Sequence, residues 1–228
     1  MRYDDWEGVY RQILADFGFK ESEDADSARL LVDLLRTWQV LPNVEQSLRE
    51  LISGASFVVL GPCLSKERIG IELKGILLKT GSRLVSVGEG TKNCMDLGIT
   101  PLMIFTDLDG FPSADVMANQ RGALAFLHAH GDNRLWLEEW VPRFNGKVVP
   151  TCQCRPLDGI YNWGGFTDGD RACCTLAHFG ASRIRLLGFD FSRPCGTKRT
   201  DMATKKKKLV WAKRIIESLD LSLIGEYV

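Results

Sequence analysis

The sequence predicts an α/β fold with a mostly parallel sheet, helices on both faces and a helical segment in front. Three observations predict it. From Phe57 onward, short apolar runs of β-type residues alternate with amphipathic stretches long enough for helices. Strands separated by helices imply parallel neighbours covered on both sides. Before Phe57, apolar residues recur at three- and four-residue spacing, the helical period.

Taken in order, Ile13, Leu14 and Phe17, then Leu30, Leu31, Leu34 and Leu35, mark the leading helices. Pro42-Asn43 breaks the pattern before a short helix that ends near Ser53-Gly54. Residues 1–54 are therefore expected to pack as a helical segment on an α/β domain spanning 55–228. The expected strands are Phe57 to Leu60, Arg83 to Val87, Leu102 to Phe105, Ala123 to Leu127, Lys147 to Val149 and Ile184 to Leu187. Helices are expected at Lys66 to Lys79, Leu135 to Phe144 and Arg171 to Phe179.

Composition narrows the class. The chain has 228 residues, 45% hydrophobic, and no apolar run of 18 or more that would span a bilayer. Its first residues are acidic and aromatic, unlike a secretory signal. Seven cysteines, an odd number without framework spacing, predict free thiols in a reducing, cytoplasmic setting and no disulfides. Basic and acidic residues balance at 29 each, so neither a nucleic acid nor a membrane is expected as partner. The balance hides an asymmetry. Asp4 to Asp33 holds nine acids and three bases, and Phe191 to Arg214 nine bases and one acid. The run Lys205 to Lys208 reads either as a solvated helix end or as a group meeting phosphates.

In parallel sheets ligands bind beyond the carboxyl ends of the strands, so polar residues there are the candidates for chemistry. Gly61 and Pro62 form a tight turn after the first strand whose amides can face an anion. Asp107 and Asp109 follow the third strand. Alternation is expected to aim both carboxylates to one side, where a hard cation such as magnesium offsets their repulsion, the other reading being an Asp-capped turn. His128 and His130 lack a third ligand at matching spacing for zinc, which leaves Asp132, displayed by a turn with Asn133, as the stronger candidate. In the densest patch, Asn162, Trp163, Gly164, Gly165 and Phe166 precede Asp168, Asp170 and Arg171 at the start of a helix. The acids there serve either as an ordinary N-terminal cap or as part of a site, with Trp163 and Phe166 offering flat faces to a ring.

Thr106-Asp107-Leu108-Asp109-Gly110, His128-Ala129-His130-Gly131-Asp132-Asn133 and Gly164-Gly165-Phe166-Thr167-Asp168-Gly169-Asp170-Arg171, in this order and spacing, resemble the archaeal 6-hydroxymethyl-7,8-dihydropterin pyrophosphokinase family. Gln153 and Gly188-Phe189-Asp190-Phe191 also match, and the resemblance runs from about Phe57 to Leu219. Three positions depart from the pattern: Gly88-Glu89-Gly90 stands in place of an Ala-Asp-Gly type segment, Cys152 in place of a hydroxyl residue, and Trp163 in place of Phe. The family is distantly similar to the catalytic domain of thiamine pyrophosphokinases, but this chain ends without their further β domain.

The resemblance implies transfer of a diphosphate from ATP to the hydroxymethyl group of a reduced pterin, with release of AMP. The product would feed folate or methanopterin-type cofactors. It implies Mg2+ at Asp107, Asp109 and Asp132, and Asp168 and Asp170 as further catalytic acids. ATP would meet Gly61, Pro62, Asn133, Arg171, Lys198 and Arg199. The pterin would meet Gln153, Asn162, Trp163, Gly164, Gly165 and Phe166. A homodimer is compatible with the apolar helical segment. The competing functions are thiamine diphosphorylation, nucleotide-sugar transfer, and nucleotide binding without catalysis.

Overall fold

A computed structural model describes residues 2–195 and 201–220. The chain starts with three helices, α1 (Tyr3–Phe17), α2 (Glu21–Leu34) and α3 (Val44–Ile52). It then alternates β1 (Ser56–Leu60), α4 (Lys66–Thr80), β2 (Arg83–Val87), α5 (Glu89–Asp96), β3 (Met103–Thr106), α6 (Pro112–Gln120), β4 (Leu124–Ala129) and α7 (Arg134–Trp140). After a 3-10 turn at Val141–Arg143 come β5 (Val148–Cys152), α8 (Asp168–His178), β6 (Arg183–Leu187) and α9 (Met202–Glu217).

Among the described residues the strands form one six-stranded sheet in the order β5-β4-β3-β2-β1-β6, every pairing parallel. The six predicted strands and the three predicted helices of the α/β part are present. Helices α5 and α6 went unpredicted because each is short and carries few large apolar residues.

Right-handed crossovers explain the layering. From β1 to β5 the chain steps outward in one direction, which puts the connecting helices on one face. The return from β5 to β6 reverses direction and puts α8 on the other face. Side-chain alternation serves both layers: Phe57 and Val59 pack with α3 and α8 residues such as Leu48 and Leu176, while Val58 and Leu60 pack with Ile69 and Leu73 of α4. Trp6 and Tyr10 of α1 and Leu31 of α2 join the core beside Ala125 and Leu127 of β4. No helix among the described residues is long and apolar enough to cross a membrane.

One expectation is overturned. Cys63, in the loop after β1, forms a disulfide with Cys195, in the loop after β6, across a separation of 132 residues. Spacing along the chain concealed the pair because β1 and β6 are sheet neighbours, so their carboxyl-end loops emerge side by side. The other five cysteines are free and buried.

Candidate active site at the carboxyl edge of the sheet

All six strand ends open onto a single cavity of about 430 Å3, a size that suits small organic ligands. Its wall includes Pro62 and Cys63 after β1, Glu89 after β2, Asp107 and Asp109 after β3, and His130 and Asp132 after β4. Gln153 and Phe166 to Arg171 follow β5, and Phe189 to Phe191 follow β6.

The acids after β3 owe their placement to a turn rather than to strand alternation, because the strand stops at Thr106. The Thr106 hydroxyl donates to Asp115 (2.7 Å) and accepts from the Leu108 amide (3.0 Å), while Asp107 Oδ1 accepts from the Asp109 amide (3.3 Å). Leu108 is buried at φ 66°, a left-handed conformation that costs a non-glycine residue about 1 kcal/mol. The turn keeps both Asp107 and Asp109 on the cavity wall.

After β4, His130 lies between two acids. Its Nδ1 is 2.5 Å from Asp132 Oδ1 and its Nε2 is 3.6 Å from Asp107 Oδ2. Burial by itself would lower the imidazole pKa, but the hydrogen bonds and charges of Asp107 and Asp132 outweigh it and raise it to about 9. The same contact holds the Asp132 carboxyl below its usual range. His130 is thus a cation at neutral pH. Local spacing gives no sign of this role, because Asp107 lies 23 residues before His130 and on another strand end. His128 differs: it is buried beside Thr151 (3.0 Å), and desolvation keeps it neutral.

Asn133 does not line the cavity. Its side chain accepts from the His130 amide (3.0 Å) and donates to the carbonyls of Asp107 (2.9 Å) and His128 (2.7 Å), so it stitches the β3 and β4 loops together instead of meeting phosphate.

At the start of α8 the acids split. Asp170 lines the cavity but is fully buried, and it accepts from the amides of Phe166 (2.9 Å) and Thr167 (2.7 Å) and from the Thr167 hydroxyl in a capping box. Desolvation raises its pKa. Its oxygens are spent on the helix cap, which assigns it a structural rather than catalytic part. Asp168 stands 3.5 Å from Arg171 Nη1. Arg171 is buried and lines the cavity, donating from Nη2 to the Phe166 carbonyl (3.1 Å), while its Nε and Nη1 have no hydrogen-bond partner. An anionic ligand is the chemistry that satisfies such donors.

Four of the residues expected at a ring-binding wall lie elsewhere. Trp163 is buried against Tyr161 (ring centroids 5.2 Å apart) and Phe179 (5.0 Å), in the core between the sheet and α8. The Asn162 amide donates to the Cys154 carbonyl and its oxygen accepts from the Gly164 amide, which shapes the loop from inside. Gly165, at φ 99°, lies so close to Arg171 that a Cβ there would be 2.3 Å from the arginine Cα. These four residues serve packing, whereas Gln153 and Phe166 do reach the cavity. Gly61 sits behind Pro62, where a Cβ would meet the Gly188 carbonyl at 2.7 Å. Lys198 and Arg199 lie outside the described residues.

Two regions outside the motifs complete the wall: Phe19, Lys20, Glu23 and Asp24 around the start of α2, and Lys205 and Lys208 of α9. At these two positions the lysine run borders the cavity. Nothing in local periodicity distinguishes Asp24 from its acidic neighbours. Two of its hydrogen-bond partners, the Gly131 amide (2.7 Å) and the Gln153 amide (3.1 Å), are 107 and 129 residues away.

Magnesium fits the donor set. Among the described residues, no group of three or more His, Cys, Asp or Glu side chains could hold a metal alone. Magnesium asks for less than that, one or two carboxylates completed by substrate phosphates and water.

The fold and the cavity together define an α/β protein with a cavity at the carboxyl edge of a parallel sheet, lined by acids, a buried arginine and lysines. Comparison with known proteins narrows this class. A family model described as "6-hydroxymethylpterin diphosphokinase MptE-like" matches residues 38–195, and the chain belongs to this family. It is also similar to proteins named 6-hydroxymethyl-7,8-dihydropterin pyrophosphokinase. That of Pyrococcus furiosus is 35% identical, with 96% of this chain and 94% of the relative covered. That of Methanocaldococcus jannaschii is 35% identical, with 94% of each covered, and that of Methanothermobacter thermautotrophicus is 33% identical over the same shares.

Proposed function

We propose that this protein transfers a diphosphate group from ATP to the hydroxymethyl group of 6-hydroxymethyl-7,8-dihydropterin, releasing AMP, as a cytoplasmic enzyme that uses magnesium. The observation that carries the reading is the convergence of acids from two adjacent strand ends with the buried Arg171 on one cavity. The names of the full-length relatives support the acceptor.

The hydroxymethyl oxygen attacks the β-phosphorus in line, its proton passes to solvent water, and the bond from the β-phosphorus to the oxygen it shares with the α-phosphorus breaks, with AMP taking that oxygen. Positioning and charge neutralisation supply most of the catalysis in such transfers. Asp107, Asp109 and Asp132 would hold magnesium, which neutralises phosphate charge when bound. His130 balances Asp107 and Asp132. Arg171 and Lys208 bind phosphate oxygens, Asp168 orients Arg171 or the attacking hydroxyl, and Phe166 and Gln153 border the acceptor.

Incubation with ATP, magnesium and the reduced hydroxymethylpterin, with thiamine at equal concentration, tests the reading by mass spectrometry. Pterin diphosphate and AMP are the expected products. ADP in place of AMP, a dominant thiamine diphosphate product, or no turnover each overturns it.

A further inference from the structure

The cavity has an aromatic wall at each end. After β6, Phe189 and Phe191 lie with ring centroids 6.0 Å apart, against the β1 loop, where a Cβ on Gly61 would meet the Phe189 ring at 2.8 Å. At the other end, Phe19 stacks on Phe17 (5.2 Å), and Phe17 touches Phe166 (5.2 Å). Phe19 and Phe166 both face the cavity. Phe19 follows Gly18, whose left-handed turn (φ 70°) ends α1 and directs the chain into α2.

The second wall is fastened to the acids. Asp24 is buried and accepts from the Tyr10 hydroxyl (2.6 Å), the Gly131 amide (2.7 Å) and the Gln153 amide (3.1 Å). It ties the start of α2 to the loop that carries His130 and Asp132. On its other side the wall meets α9, through Asp16 to Lys207 (3.0 Å) and to the Trp211 indole (2.7 Å).

Two flat ring systems must share this cavity, and their reach differs. The acceptor carries its hydroxyl on a single carbon, so its ring must lie close to the β-phosphorus and hence to the acids. Adenine is set back from the β-phosphorus by a ribose and the α-phosphate. The wall fastened to the acid loop therefore suits the acceptor, and the wall beside β1 and β6 suits adenine. Resting on the function proposed above, we infer that the α1–α2 turn forms the acceptor subsite. In it Phe19 is a specificity-determining contact, and Asp24 is a positioning residue acting through Gly131 and Gln153. The α1–α2 part of this wall, with Phe19 and Asp24, lies before residue 38, outside the span that the family model matches.

The test is a titration of fluorescent, oxidised 6-hydroxymethylpterin with magnesium and α,β-methylene-ATP, run beside a titration of that nucleotide alone. Phe19 is 36% exposed, so Phe19→Ala leaves the fold intact. It should weaken the pterin about tenfold and leave the nucleotide unchanged. Tyr10→Phe removes one of the hydrogen bonds to Asp24 without emptying its space. It should weaken the pterin about threefold, again without touching the nucleotide, a split that a general loss of stability would not produce. Phe189→Ala should do the reverse. Unchanged pterin binding in Phe19→Ala, or an equal loss of both ligands, overturns the inference alone. A wild-type protein that binds no pterin overturns it together with the proposed function.

Discussion

The turn after β3 and the turn entering α8 are both rich in aspartate, yet they use their carboxylates in opposite ways. After β3, Asp107 and Asp109 are held at the cavity by the buried left-handed Leu108, and a cationic histidine stands beside Asp107. In the first turn of α8, Asp170 turns inward and caps the backbone of Phe166 and Thr167. The difference teaches that an acid's role depends on where its oxygens find donors. Where buried backbone amides hold both oxygens, as at Asp170, the acid fastens the fold, and where the carboxylate stands on the cavity wall beside a charged side chain, as at Asp107, it is placed for chemistry.

The largest effect that can break this comparison is on turnover. Asp107→Asn or Asp109→Asn should lower magnesium-dependent AMP release by at least about a hundredfold, because charge neutralisation is removed, with the unfolding midpoint little changed. Unchanged turnover in both variants would dismiss the assignment of these acids.

Asp170→Ala should show the opposite profile. It leaves the buried amides of Phe166 and Thr167 without their acceptor and should cost about 2 kcal/mol in chemical denaturation, while the folded fraction keeps most of its activity. A stable but inactive variant would return Asp170 to the catalytic group.

The smallest effect sharpens the contrast within the β4 end. His128 stays neutral in the fold, its pKa lying well below 6.5, whereas the unfolded chain binds a proton there. Stability should therefore fall as pH drops below about 6.5. His130, raised to about 9, contributes stability that is complete below about 6.5 and is lost as pH rises through about 9. Each slope is at most about 1.4 kcal/mol per pH unit. Denaturation of the metal-free protein across pH 5 to 10 should flatten above about 6.5 in His130→Gln and below it in His128→Asn. A His130→Gln curve that still falls as steeply above about 6.5 would remove the imidazolium from the site.

Much of the fold was legible in the chain because a strand buried on both faces must be apolar throughout, as Phe57 to Leu60 and Leu124 to Leu127 are. The acid-bearing turns were legible for a related reason: in a parallel sheet they follow the strands, and Asp107, Asp109 and Asp132 stand there. The direction of each side chain was not. Trp163 and Phe166 are three residues apart in one glycine-rich stretch, yet Trp163 packs into the core beside Phe179 while Phe166 meets the cavity and Phe17. Cys63 and Cys195, or Asp24 and Gly131, carry no mark of each other in local spacing. By itself the sequence determined the strands, their parallel order of connection and the acids that follow them, since burial and periodicity act within a few residues. Only the tertiary structure decided which acids cap and which face the cavity, since that turns on how each side chain is directed, and it alone joined Cys63 to Cys195 and brought α2 and α9 to the cavity, through contacts between residues more than a hundred positions apart.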